Sequence, residues 1–379
     1  ATFGDFNKDG FLDIYVGNYL DHDGPIQDSL GNLIGIMAQG FANYYYINNG
    51  NGTFTQSANS SNIMDMGCAL AVAATDYDND SDADLYIAND FGEWNVPNSL
   101  YENNYPNTSF TDVSVPSNTN IGLFGMGIAV GDYNEDLHLD YYVTNLGPNV
   151  LLQNNGDGTF SDTTAFAGVV NGSVYTLLST GWGAAFCDYN NESYLDLFVA
   201  NGQIPMPATF RATHPEDPNK FYHNNGDGTF TDTSDYLGMS SRTIAHGMAY
   251  ADYDNDGDID FVVAVIDRAI PSDSTPHSLF YQNDATANTY NWVQVKLQGT
   301  VSNRDAFGAH VLIYAAGRTF LREVGGGSSH ASQNSSVQHI GLQNITQVDS
   351  IVVKWPNTAA QTFYNININQ RHTFIEGQF

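Results

Sequence analysis

Short apolar runs separated by clusters of Asp, Asn and Gly fill most of this chain, a pattern of short strands joined by tight turns. The first run of each unit is rich in small residues: Gly67–Thr75, Gly125–Gly131, Gly181–Cys187 and Gly247–Ala251. An acidic loop follows, then a run that reads as a short buried strand: IYVGN from Ile14, LYIAN from Leu85, YYVTN from Tyr141, LFVAN from Leu197 and FVVAV from Phe261. A third run sets Tyr or Leu ahead of an Asn pair, as in YYYINNG, LLQNNGDG and FYHNNGDG, and a fourth passes through GTFTQ, GTFSD or GTFTD. The Asn-Gly and Asp-Gly steps between the third and fourth runs predict type I′ hairpins, whose central residues need φ > 0. Asp157 and Asp227 are therefore turn residues rather than ligands. Four antiparallel strands per unit describe one blade of a β-propeller.

The acidic loops begin at Asp5, Asp76, Asp132, Asp188 and Asp252 and read DFNKDGFLD, DYDNDSDAD, DYNEDLHLD, DYNNESYLD and DYDNDGDID. Their spacings of 71, 56, 56 and 64 residues suit a propeller or another repeat array. Oxygen-bearing side chains at alternate positions, closed by a further acid four residues on, make a cage for a hard cation. Calcium takes six to eight oxygens, whereas magnesium resists so much dehydration. The first loop offers Asp5, Asn7, Asp9 and Asp13, with the Phe11 carbonyl in the gap; the second offers Asp76, Asp78, Asp80 and Asp84, with Asp82 in the gap. The third offers Asp132, Asn134, Asp136 and Asp140 with His138, and the fourth Asp188, Asn190, Glu192 and Asp196 with Tyr194. The fifth offers Asp252, Asp254, Asp256 and Asp260, with Asp258 in the gap. Up to five structural Ca2+ ions are expected. Leu137 and Ser193 replace the loop glycine and Glu192 a shorter acid, so the third and fourth sites should bind more weakly.

From Asn291 the pattern changes. Seven strand-like runs follow without another acidic loop: WVQVKLQG, AHVLIYAAG, RTFLREVG, SVQHIGLQ, DSIVVKWP, QTFYNI and HTFIEG. They predict a small β-sandwich over residues 291–379 after a propeller over 1–290. Charge divides at the same place: residues 1–290 hold 38 acids and 5 bases, residues 291–379 hold 4 acids and 6 bases. Seventeen acids sit at the first, third, fifth and ninth positions of the five loops, and five dications would offset ten charges. The remaining acidity repels phosphates, which excludes nucleic acid as a partner. No apolar run approaches the length of a membrane span.

The five loops with their LFVAN and NNGDGTFTD partners resemble FG-GAP/VCBS repeats, as in integrin-like propellers. The phrases WVQVKLQGTVSNRDAFGAHV, REVGGGSSHASQ and HIGLQNITQVDSIVVKWPN resemble the ASPIC/UnbV domain. Together they resemble the cartilage acidic protein family and its bacterial relatives. The resemblance implies an all-β, secreted, calcium-binding propeller followed by a small β domain. Such propellers usually close with seven blades, and five metal loops are present here, so further blades or an unusual closure are expected.

No HExxH, GxSxG, phosphate-cradling or CxxC motif occurs. His246, His310, His339 and His372 read as structural, and Arg322 with Glu323 as an ion pair that fixes a turn. Cys68 and Cys187 stand at different positions in their repeats, so buried thiols are favoured over a bridge. The leading expectation is a non-enzymatic extracellular or cell-surface adhesion module that presents loops to a protein or glycan, with residues 18–43 and 202–219 as candidate recognition loops. A structural subunit of an extracellular assembly is the alternative: a truncated first strand would leave blade 1 incomplete, with an edge that a neighbouring chain could fill. A carbohydrate-active enzyme is disfavoured because no acid pair lies outside the metal loops.

Overall fold

The computed structural model describes residues 1–57, 62–107, 109–174, 177–204, 216–266, 278–284 and 290–378. Five antiparallel sheets follow one another in chain order. Blade 1 comprises Thr2–Gly4, Asp13–Val16, Tyr44–Asn48 and Phe54–Gln56. Blade 2 comprises Cys68–Thr75, Asp84–Asp90, Ser99–Asn103 and Phe110–Asp112. Blade 3 comprises Ile128–Gly131, Asp140–Val143, Val150–Asn154 and Phe160–Asp162. Blade 4 comprises Gly181–Cys187, Asp196–Asn201, Lys220–Asn224 and Phe230–Asp232. Blade 5 has three strands among the described residues, Ala245–Ala251, Asp260–Val265 and Leu279–Tyr281. No sixth or seventh blade is present among the described residues.

Each first strand packs on the first strand of the next blade. Small residues permit this: Ala71, Ala73, Ala129 and Ala184 are all buried here. At Gly127 a Cβ would fall 2.1 Å from the Trp182 carbonyl of the following blade. Leu20–Gln27 and Leu33–Gly40 form a hairpin inserted in blade 1, so the excursion over 18–43 is itself a ribbon. Most of the excursion over 202–219 lies outside the described residues.

The Asn pairs of the third strands do more than turn the chain. Asn103, Asn154, Asn224 and Asn283 each donate a side-chain N–H to a loop carbonyl of the preceding blade, from Phe6, Tyr77, Tyr133 and Tyr189 respectively, at 2.7–2.9 Å. The backbone N–H of the same residue holds the last acid of its own blade's loop at 2.8 Å. These asparagines staple neighbouring blades together. Asn154→Ala is expected to cost about 3 kcal/mol, since it strips the buried Tyr77 and Leu139 carbonyls of their donor. Urea unfolding in calcium measures it, and a loss below about 1 kcal/mol would contradict the staple.

The C-terminal strands form a two-sheet sandwich. One sheet runs Gln338–Gln343, Asn291–Gln298 and Gln370–Ile375, the last pairing parallel with Asn291–Gln298. The other runs Arg318–Glu323, His310–Ala315, Ser350–Lys354 and Gln361–Phe363. Between them Val295, Val311, Ile313, Phe320 and Trp355 are buried. Glu376 anchors the Thr300–Ser302 turn: its carboxylate accepts the N–H groups of Thr300, Val301 and Ser302 and the hydroxyls of Ser302 and Thr358. Burial pushes this carboxyl up, but those donors outweigh it and hold it at about 2. A carboxyl depressed in the folded state stabilises above its ordinary value, and that stability is lost as pH falls toward the folded value. Glu376→Gln is expected to cost about 2 kcal/mol at neutral pH and to flatten the acid limb of the stability profile below pH 4.5. An unchanged limb in acid titrations followed by circular dichroism would contradict this.

Candidate metal centres beneath the C-terminal domain

All five loops share one backbone. The fourth residue of each (Lys8, Asn79, Glu135, Asn191, Asn255) and the sixth (Gly10, Ser81, Leu137, Ser193, Gly257) have positive φ. The sixth is glycine only in the first and fifth loops, so the departure is wider than the Leu137 and Ser193 pair: Ser81 shares it.

The fifth-position acid turns back on the loop, where Asp9, Asp80, Asp136 and Asp256 accept the N–H of residue 11, 82, 138 or 258 at 2.9–3.2 Å. In the second loop carboxylate oxygens of Asp76, Asp78 and Asp84 lie within 4.8 Å of one another, and in the fifth those of Asp252, Asp254 and Asp260 do the same. The first, third and fourth loops place Asn7, Asn134 and Asn190 at the third position, where each side-chain oxygen accepts the N–H two residues on. In the fourth loop His223 lies 3.0 Å from Asp196 and 3.7 Å from Glu192, drawing on two of the acids expected there.

These residues fit a hard cation. Asp76 Oδ1, Asp82 Oδ1, Asp196 Oδ2, Asp252 Oδ1 and Asp258 Oδ1 are buried carboxylate oxygens without a hydrogen-bond partner. Burial pushes Asp13, Asp132 and Asp188 up to about 7 and Asp84 and Asp140 well above the usual carboxylate range. Acids packed so closely are costly as anions unless a positive charge joins them.

The seventh position is less uniform than the expected carbonyl role. Asp82 and Asp258 bury their side chains, and burial lifts them to about 7 and about 8. Phe11 is exposed, His138 Nδ1 lies 3.2 Å from Asn79 Nδ2, and the Tyr194 ring carries the Arg318 guanidinium at 4.9 Å. Asp157 and Asp227 are the turn residues expected, each accepting from the Thr two residues on. The turns are not of type I′: only the glycines at 156, 158, 226 and 228 take positive φ, and Asn155 and Asn225 close the loops on Thr159 and Thr229.

The sandwich lies across these loops and clamps the first aspartate of four of them. Asn357 Nδ2 donates to Asp5 Oδ2 at 2.8 Å, Gly341 N–H to Asp188 Oδ2 at 2.8 Å, and Gln294 Nε2 to Asp252 Oδ2 at 2.6 Å. Asp76 donates its N–H to Glu323 at 2.9 Å, and His310 Nε2 sits 3.6 Å from both carboxylates. The third loop is held otherwise, by Arg318 against Glu135 at 2.6 Å and by Leu137 and Leu139 packed on Leu312, Leu321 and Val352. Ser193 meets the same domain, its Oγ accepting from Arg318 and its carbonyl from Arg322. Leu137 and Ser193, read from sequence as weakened metal positions, are interface residues. The pair expected between Arg322 and Glu323 is likewise absent among the described residues: the two side chains reach different loops.

The glycine-rich phrase after Glu323 enters the propeller axis. Phe3 N–H donates to Gly326 O at 3.4 Å, Ser329 exchanges hydrogen bonds with Ile128, His330 Nδ1 donates to Met126 O at 2.7 Å, and Ser335 N–H donates to Tyr250 O at 3.1 Å. This plug touches blades 1, 3 and 5 in turn. It also meets the exposed edge expected in blade 1, which is four-stranded. Cys68 and Cys187 are separate buried thiols.

Residues 5–87, 76–143, 132–199 and 210–263 match the FG-GAP-like repeat family, and residues 299–379 match the ASPIC and UnbV family. Cartilage acidic protein 1 of Xenopus tropicalis is 26% identical over 283 residues, covering 72% of this chain and 39% of the relative. The Homo sapiens protein of the same name is 25% identical over 332 residues, covering 72% and 48%. The chain thus spans less than half the length of these curated relatives. Among solved structures, an Agrocybe aegerita lectin recognising non-reducing terminal N-acetylglucosamine aligns with a TM-score of 0.38 at 15% identity, covering 96% of this chain and 79% of the lectin. The exotype rhamnogalacturonan lyase YesX aligns with a TM-score of 0.37 at 14% identity, covering 98% and 62%.

Proposed function

This chain belongs to the FG-GAP-like repeat family and carries an ASPIC and UnbV domain at its C-terminal end, and from that premise we propose that it is an extracellular, non-enzymatic binding module for protein or glycan, stiffened by structural calcium. One observation carries the reading: the C-terminal domain covers the face that bears the metal loops and clamps their first aspartates. Acids engaged in that way hold the two domains together and are not presented to a partner. The ions would be held by the first, third and ninth residues of each loop, and they supply positive charge that lets the buried carboxylates stay ionised. Millimolar calcium outside cells suits sites of this kind.

The opposite face and the connecting loops are then left for recognition. Immobilised calcium-loaded chain is expected to retain a glycan or a matrix protein and to release it in EDTA. Retention of neither, or turnover of a bound oligosaccharide into smaller products, would contradict the reading.

A further inference from the structure

A cavity of about 350 Å³ opens at the mouth of the axis. Its residues come from the starts of first strands and the ends of second strands, whereas the metal loops join the other ends, so it faces away from the C-terminal domain. Phe91, Phe124 and Trp182 form aromatic walls, with Leu70, Met126 and Leu146 between them. His330, from the tip of the plug, reaches the cavity and is held there by its Nδ1 bond to Met126 O. The pocket therefore draws on both domains.

Two of its polar groups, Asp90 and His330, offer acceptors. Asp90 is buried, with Oδ1 accepting the Phe91 N–H at 2.9 Å and Oδ2 accepting the Tyr19 hydroxyl at 2.6 Å. Each oxygen keeps a further lone pair. Burial lifts Asp90 to about 6, against the Tyr19 hydroxyl and Phe91 N–H bonds that favour its charged form. His330 gives its Nδ1 proton to Met126 O and burial favours its neutral form, which leaves Nε2 as an acceptor. No Lys or Arg is among the described lining residues, and a chain with a net charge of −31 disfavours anions. The Trp182 ring is fixed by an Nε1–H bond to Gly202 O at 2.8 Å and by stacking on His246 at 3.7 Å.

We propose that this pocket binds a neutral sugar ring, with the C–H faces of the ring against the aromatic walls and its hydroxyls donating to Asp90 and His330. The proposal deepens the binding-module reading and rests on it. A cavity of this size, mostly apolar with a few convergent polar groups, has the build of a small-ligand site.

Calorimetry of the full calcium-loaded chain against neutral methyl pyranosides and disaccharides tests the assignment, with choline and a uronic acid as counter-ligands. One saturable site for a neutral sugar is expected, weakened at least tenfold by Asp90→Asn at an unchanged melting temperature and abolished by Leu70→Trp, which fills the cavity. Absence of neutral-sugar binding, preference for choline or the uronic acid, or affinity untouched by both substitutions would overturn it. In the last case a glycan bound elsewhere would leave the binding-module reading standing. A chain that retains neither glycan nor matrix protein would remove both.

Discussion

Excess EDTA is expected to lower the melting temperature by on the order of 10 °C or more, and to open the chain to protease between the last blade and the sandwich. A site held at a hundredfold excess of ligand over Kd contributes about 2.7 kcal/mol, and about 2–4 °C accompanies each kcal/mol in a domain of 150–250 residues. Several such sites would act together here. Without cations, Asp132 and Asp188, raised to about 7, and Asp84, raised well above the usual carboxylate range, must either take up protons or stand as uncompensated charges in buried loops. The sign for the metal-free protein follows from linkage: carboxyls raised in the folded state stabilise at low pH, and that contribution is lost as pH rises through about 7. The strain falls on the surface that seats the sandwich. A melting curve unmoved by chelation, with no bound metal by elemental analysis, would remove this account of the acidic loops.

Gly341→Ala is the second large effect. A Cβ at this position would lie 2.3 Å from Asp188 Oδ2 and 2.3 Å from the Asn191 Cα, against backbone that cannot step aside. The Gly341 N–H bond to Asp188 would break with it. We expect a loss of about 3 kcal/mol in calcium, with the sandwich released rather than unfolded, because Gly341 lies between the buried Ile340 and Leu342 on a strand whose partner remains Asn291–Gln298. In EDTA, where the wild-type interface is already open, variant and wild type should converge. An equal loss in both conditions would place the damage inside the sandwich.

Local features were legible in the sequence because they are written in neighbouring residues. The blade strands, the turns at Asp157 and Asp227, the five acidic loops and the seven C-terminal strands lie near their expected places, though the turns are not of type I′, since only their glycines take positive φ. The domain interface was not legible. Its contacts join residues as far apart as Asp5 and Asn357 or Asp76 and Glu323, and no local periodicity encodes such pairings. The REVGGGSSHASQ phrase stood out, yet only packing reveals that a thin, glycine-rich segment is what fits between first strands at the axis. Asn154 and its equivalents were read through their turns, while their second role depends on the carbonyl of another blade. Leu137 and Ser193 broke the loop pattern for a reason that lay in the other domain.

The central claim is that the metal loops form the seat of the C-terminal domain, so that cation and docking stand or fall together. Hydrogen exchange at the plug tests it most directly. With calcium, the amides of Ser329 and Ser335, bonded to Ile128 and Tyr250, should be protected. On chelation they should exchange rapidly, while Val311 and Ile313 in the sandwich core keep their protection. Plug amides that stay protected after the ions are removed would contradict the account.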